Sequence, residues 1–211
     1  MSENTSPEAK NQLSAPRNIE PSLKHSKMKP ISSSTESTKV IMPDFLAPDV
    51  KSVDFRLLRN QFNIRFALLD VDNTLTSVAG KKIDPGTVQY LQELQRDGTL
   101  DGIYLATRSG RDLSSIEAEL NVKVFRSKSG TKKPDTEYFK EITAAIGCKP
   151  NEIVMIGDRL IHDIQGAKAA GLITVLVNPI AKGWIKGWIP TDFLGTYWRE
   201  RKAQGELKYL T

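Results

Sequence analysis

Arg65-Phe66-Ala67-Leu68-Leu69-Asp70-Val71-Asp72-Asn73-Thr74 runs four consecutive apolar residues into a carboxylate and sets a second carboxylate two positions on. An apolar run without polar alternation is the pattern of a strand buried on both faces, as in a parallel sheet. A charge at the end of such a strand is costly unless it has a partner. Asp70 and Asp72, two residues apart, face the same way in extended chain.

Similar runs recur along the chain. Gly102-Ile103-Tyr104-Leu105-Ala106 ends at Thr107, and Val122-Lys123-Val124-Phe125 is shorter. Glu152-Ile153-Val154-Met155-Ile156 ends at Gly157-Asp158, and Leu172 to Val177 closes the series. Helical patterns lie between them. Asp84-Pro85 opens one, with Val88, Leu91 and Leu94 on a face. Ser109 to Leu120 reads as another. Asp135 to Ile146 carries Tyr138, Phe139, Ile142, Ala145 and Ile146 on a stripe and stops at Gly147. Ile161 to Ala170 stops at Gly171. Alternating strands and helices predict an α/β fold, a Rossmann-like parallel sheet of about five strands with helices on both faces. Ligands of such sheets bind beyond the carboxyl ends of the strands, where Asp70, Thr107 and Asp158 all stand.

The chain has 211 residues, 39% hydrophobic and 26% charged, which fits one α/β domain with tails. No apolar run approaches the roughly 20 residues of a membrane span. Cys148 is the single cysteine, so no internal disulfide can form, and a reducing cytosol is the default expectation. Residues 41–180, the expected domain, hold 18 basic and 18 acidic residues. The net charge of +5 therefore lies in residues 1–40 (six basic, four acidic) and 181–211 (six basic, three acidic). Residues 1–40 are rich in Ser, Thr, Pro, Lys and Asn without apolar period, and they are expected to be disordered. They lack the apolar segment of a secretory signal and hold one arginine, Arg17, which makes them a poor targeting peptide.

The residues at the strand ends suit phosphoryl transfer. A carboxylate attacking a phosphate dianion needs a divalent cation and nearby positive charge. Mg²⁺ takes oxygen ligands and keeps waters that reach the phosphate. Asp70 is the expected nucleophile, and Asp72 the acid that protonates the leaving alkoxide and the base that later activates water. Lys133 would neutralise the phosphate and Thr107 would bond a phosphoryl oxygen. Asp158 would add a metal oxygen, with Asp163 holding the ion or its waters from one helical turn on. Each piece has a plainer reading. The two acids could be a surface pair, Lys133-Pro134 a helix start, Thr107 a cap, and Gly157-Asp158 a turn. Their joint occurrence at strand ends, in order, favours chemistry.

As a set, Asp70-x-Asp72-x-Thr74, Thr107, Lys133 and Gly157-Asp158-x-x-x-x-Asp163 resemble the four motifs of the haloacid dehalogenase (HAD) superfamily of phosphatases. From Pro43 onward the chain is most similar to the subclass IIIA members of the YqeG type. The shared phrases are Leu69 to Leu75, Gly157 to Ile164 and Ala170 to Pro179. The resemblance implies Mg²⁺, a phospho-aspartate at Asp70, metal ligation by Asp70, Asp72 (through its backbone carbonyl), Asp158 and Asp163, and phosphate contacts from Asn73, Thr107 and Lys133. It also implies the substrate phosphatidylglycerophosphate, which relatives in mitochondria and plastids dephosphorylate. Two features depart from the pattern. Thr107 is followed by Arg108, where the family usually has Asn, and Arg108 would add a phosphate contact or alter the choice of substrate. Ser77 to Asp84 is short and without an aromatic residue, so the cap is minimal or missing and the site open to a large substrate.

Trp184, Trp188 and Trp198 lie among Lys182, Lys186, Arg199, Arg201 and Lys202, a composition suited to a membrane interface. The alternative is that the first two rings pack on the core and the basic residues are solvated. The expected location is cytoplasmic, peripheral at the inner face of a membrane, with a mitochondrial matrix or plastid as the alternative. Three other functions remain: hydrolysis of a small soluble phosphoester, a receiver-type signalling domain, and nucleic-acid binding through the tails. The receiver would place its acid pair and its phosphorylated Asp after different strands. A nucleic-acid platform would need aromatics on the sheet, so nucleic acid is not expected.

Overall fold

The computed structural model describes residues 43–180 and the short strand at 208–209. The expectations for residues 1–40 and for the Trp-bearing residues 181–211 lie outside the described residues, apart from that strand.

All five expected strands form: β2 (Phe66–Leu69), β3 (Gly102–Leu105), β4 (Lys123–Val124), β5 (Ile153–Gly157) and β6 (Ile173–Val177). Two more join them, β1 (Phe45–Ala47) and β7 (Lys208–Tyr209), giving the order β4-β3-β2-β5-β6-β1-β7 with every pairing parallel. β1 has only three residues between Pro43 and Pro48, too short for a periodic signal.

Successive residues of the central strands point to opposite layers. Ala67, Leu69, Ile103, Leu105, Val154 and Ile156 pack with Phe55, Leu58, Leu91, Leu94, Ile116 and Leu120. Leu68, Ile153 and Met155 pack on the other face with Tyr138, Phe139, Ile142 and Ala167. The layers are α1 (Phe55–Phe62), α2 (Pro85–Arg96) and α3 (Ser114–Leu120) on one side, and α4 (Thr136–Ile146) and α5 (Gly166–Ala169) on the other. No helix among the described residues is long and apolar enough to cross a membrane. Between Thr76 and α2 there is only loop, so no cap domain is inserted at that point of the chain.

α1, α2 and α4 each begin at an aspartate, Asp54, Asp84 and Asp135, whose carboxylate accepts a backbone N–H of the first turn. α1 has no counterpart in the sequence reading, although Phe55, Leu58 and Phe62 recur on one face of it at helical spacing; it runs for only eight residues. Two helices differ from expectation. α3 begins at Ser114 rather than Ser109, because residues 107–112 are held by side chains instead. Thr107 Oγ1 accepts the Ser109 N–H, Ser109 Oγ accepts the Arg111 N–H, and Asp112 accepts the Ser114 N–H. Such local bonds offer the backbone an alternative to the helix. On the α4 stripe, Ala145 is exposed while Tyr138, Phe139 and Ile142 are buried.

The expected helix from Ile161 is a π-helical turn, Leu160–Gln165, leading into α5. Wide turns of this kind recur at functional sites. Gly166 lets it lie against the preceding segment, since a Cβ there would fall 2.0 Å from the Pro134 carbonyl oxygen and 2.8 Å from the Phe139 ring. Gly166→Ala is expected to part α5 from α4 and cost about 1–3 kcal/mol, read as a lowered urea midpoint with unchanged slope.

Candidate active site

β2, β3 and β5 end level. Leu69 pairs with Leu105 on one side and Ile156 on the other, and the Asp70 N–H donates to the Ile156 carbonyl at 2.9 Å. Asp70, Thr107 and Asp158 therefore emerge side by side, all buried. Asp163 arrives from the π-helical turn. It can do so because Gly157 has no side chain: a Cβ there would lie 2.4 Å from the Asp163 carboxyl carbon. The carboxylates of Asp70, Asp158 and Asp163 each bring an oxygen within 4.8 Å of the others.

Lys133 closes the group from below. Its ammonium, 3% exposed as a residue, donates to Asp70 Oδ1 at 2.5 Å and to Asp163 Oδ1 at 2.7 Å. Asp163 Oδ2 accepts the Arg159 N–H at 2.9 Å, so both of its oxygens are engaged. Asp158 is the opposite case. Both its carboxylate oxygens are buried without a hydrogen-bond partner.

The charges follow from this imbalance of three carboxylates against one ammonium. Burial and then the charges of Asp163 and Asp70 push Asp158 up to about 8. Burial also raises Asp70, to about 6, with Asp163 adding to the rise and Lys133 opposing it. Burial works against the Lys133 charge, but Asp163 and Asp70 outweigh it and hold the ammonium above its ordinary value. A divalent cation fits the orphaned Asp158 oxygens beside Asp70, where oxygen donors already converge and the site is short of positive charge.

The remaining expected residues are placed as follows. Thr107 Oγ1 accepts the Ser109 N–H, which leaves its proton for an incoming acceptor. Asn73 is buried in left-handed backbone (φ 67°), its N–H donating to the Thr76 carbonyl at 2.7 Å. Its Oδ1 and the Thr74 hydroxyl are buried without partners. The Asp72 side chain lies outside the group of three carboxylates, bonded instead to Arg111 Nη2 at 3.0 Å. Arg108 is exposed and its Nη1 stands 3.0 Å from His162 Nε2. Because β3 and β5 flank β2, that contact spans the end of the Asp70 strand. Burial, then the charges of Arg159 and Arg108, lowers the His162 pKa.

Arg111 and His162 are absent from the sequence-based set. Arg111 stands in a polar loop with no period. His162 sits inside the Gly157–Asp163 phrase, where its position beside Asp163 was the available signal.

The family model for mitochondrial PGP phosphatase matches residues 25–181. The chain is 29% identical to the chloroplastic phosphatidylglycerophosphate phosphatase 1 of Chlamydomonas reinhardtii, over 66% of this chain and 53% of that one. It is 25% identical to the chloroplastic/mitochondrial enzyme of Arabidopsis thaliana, over 67% and 42%. With the probable phosphatase YqeG of Bacillus subtilis it shares 25% identity over 68% of this chain and 80% of that one. The chain thus spans about half the length of the first two relatives. Among solved structures it is similar to a HAD family enzyme of Bacteroides thetaiotaomicron in complex with magnesium and inorganic phosphate. There the TM-score is 0.45 and the identity 14%, over 57% of this chain and 97% of that one.

The carboxyl groups raised by burial bind protons more tightly in the folded chain than in the unfolded one. Metal-free protein is therefore expected to lose stability as pH rises from about 5 to 8. Urea midpoints across that range check it, with Asp158→Asn flattening the slope and Mg²⁺ restoring most stability at the alkaline end.

Proposed function

Taking as premise that this chain belongs to the mitochondrial PGP phosphatase family, we propose that it is a HAD phosphatase that removes the terminal phosphate of phosphatidylglycerophosphate at a membrane surface. The observation that carries the reaction is the buried group of Asp70, Asp158 and Asp163 around Lys133, with both Asp158 oxygens unpaired. Asp70 and Asp158 would hold Mg²⁺, with Asp163 orienting them through Lys133 and the Arg159 amide. When bound, that ion offsets the negative charge shared by nucleophile and phosphate.

Asp70 is the nucleophile, and its Oδ2 is the oxygen not given to Lys133. Lys133 fixes the carboxylate and neutralises charge as the phosphoryl group transfers. Thr107 donates its hydroxyl to a phosphoryl oxygen. Asp72 gives a proton to the leaving alkoxide and takes one from the water that hydrolyses the phospho-aspartate.

The lipid substrate rests on the family and on the rim. Val78 (52% exposed), on the loop after β2, and Ile161 (58% exposed), on the π-helical turn after the adjacent strand β5, are large apolar side chains. With no cap domain inserted between Thr76 and α2, these side chains and the cationic Arg108 can meet headgroups directly. The family description favours a mitochondrial location over the cytoplasmic one. The enzyme would then work peripherally, and contact through residues 181–211 would add to that of the rim. The competing reading is a small soluble phosphoester, favoured by 33% identity to the glyceraldehyde 3-phosphate phosphatase of Pyrococcus furiosus over 43% of this chain.

Asp70→Asn is expected to lower Mg²⁺-dependent phosphate release by roughly 10³-fold or more while the circular dichroism spectrum stays native. Retained activity would remove the mechanism. Release from phosphatidylglycerophosphate vesicles, measured beside glyceraldehyde 3-phosphate and other soluble esters, decides the substrate. A higher kcat/KM on a soluble ester would overturn the lipid assignment and leave the chemistry standing.

A further inference from the structure

Asp72 is held by one oxygen only. Its Oδ1 accepts the Ala79 N–H at 3.0 Å and Arg111 Nη2 at 3.0 Å. The same guanidinium donates through Nη1 to the Gly80 carbonyl at 2.9 Å. One side chain from the loop after β3 thus ties together the Asp72 carboxylate and the strap at residues 77–80. The strap itself is tightly folded. Ala79 is left-handed (φ 57°), and a Cβ on Gly80 would lie 2.7 Å from Ser77 Oγ. Among the described residues nothing donates to Asp72 Oδ2.

Arg111 carries a second sign of constraint. Its Nε is buried without a hydrogen-bond partner. A buried donor left unpaired is a cost that calls for an explanation. Here the fork of the guanidinium is already committed to two acceptors on the strap side, and that commitment fixes its plane.

We propose that Arg111 is a positioning residue for proton transfer, holding the Asp72 carboxyl by Oδ1 so that Oδ2 exchanges the proton with the leaving oxygen and later with water. This rests on the phosphatase reading above. In the first half-reaction an Asp70 oxygen bonds to phosphorus while the bond from phosphorus to the ester oxygen breaks. The departing electron pair takes the proton from Asp72 Oδ2, releasing the alcohol. In the second, water attacks the phospho-aspartate and gives its proton back to Asp72, so that phosphate leaves and both carboxyl groups return to their starting state. Lysine could keep the charge but not span both acceptors, because its single ammonium lacks the planar fork.

A purely structural role, pinning the strap, would slow every substrate alike. The leaving group separates the two cases. An alkoxide must be protonated as it departs, whereas p-nitrophenolate leaves without help. Arg111→Met is expected to lower kcat by about 10²-fold on alkyl phosphates and by no more than about tenfold on p-nitrophenyl phosphate, with Arg111→Lys between wild type and Met. The alkyl substrates are phosphatidylglycerophosphate in detergent micelles and glycerol 3-phosphate, run in parallel so that a wrong lipid assignment does not hide the effect. The aryl ester also reports that each variant is folded.

Equal losses on alkyl and aryl esters, or a variant as fast as wild type on the alkyl esters, would overturn the proposal and leave the phosphatase reading intact. Wild-type protein that turns over no phosphoester at all overturns that reading and this inference with it.

Discussion

Three carboxylates share one ammonium at the end of β2, and that shortage of positive charge governs the site. Each acid reaches its place for a separate reason. Asp70 ends a strand buried on both faces, Asp158 ends its neighbour, and Asp163 is delivered by a wide helical turn. Lys133 satisfies two of them and reaches neither oxygen of Asp158. Removing one partner of a buried ion pair costs roughly 3–5 kcal/mol, because the other charge is stranded. Lys133 therefore holds Asp70 and Asp163 together, while Asp158, left without a partner, is pushed toward its protonated form.

Close packing around two glycines makes the arrangement possible. Gly157 admits the Asp163 carboxyl against the backbone, and Gly166 admits the Pro134 carbonyl that follows Lys133. Both contacts are shorter than any Cβ would tolerate, so Gly157 seats the Asp163 carboxyl and Gly166 seats the segment after Lys133. α4, with Tyr138, Phe139 and Ile142 buried against the sheet, completes that face.

Much of this was legible in the sequence, and the limits were physical. Apolar runs such as Phe66–Leu69 and Ile153–Ile156 disclose buried parallel strands, because burial on both faces removes polar alternation. A polar residue just after each run then marks the sheet edge where ligands bind. Asp70, Thr107 and Asp158 could be picked out on that basis, whereas Lys133 and Asp163 were added by the motif set, and the closeness of the five was not legible. Short elements escaped: β1 has three residues, and α1 has eight, although its apolar residues do fall on one face. The start of α3 was misplaced because Thr107, Ser109 and Asp112 hold their neighbours by local hydrogen bonds that a pattern of apolar residues does not reveal. Arg111 escaped for a related reason, since its partners Gly80 and Asp72 lie 31 and 39 residues away in the sequence.

The side-chain placement of Asp72 sharpens the division of labour that the Asp-x-Asp spacing suggests. Two residues apart on an extended strand, the carboxylates would face the same way and share one cation. Instead the strand ends at Leu69, and the strap folds back so that the Asp72 carboxylate meets Ala79 and Arg111 while Asp70 turns to Lys133. Each acid acquires its own cationic partner. Asp70, with its ammonium in a buried pocket, suits attack on phosphorus. Asp72, paired in a half-exposed position, can exchange protons with alcohol and water. Arg108 belongs to neither arrangement. Its contact with His162 joins the loop after β3 to the π-helical turn after β5, the two strands that flank β2. The least expected residue of the motif set is thus tied to the turn that delivers Asp163 rather than to either acid of the Asp-x-Asp pair.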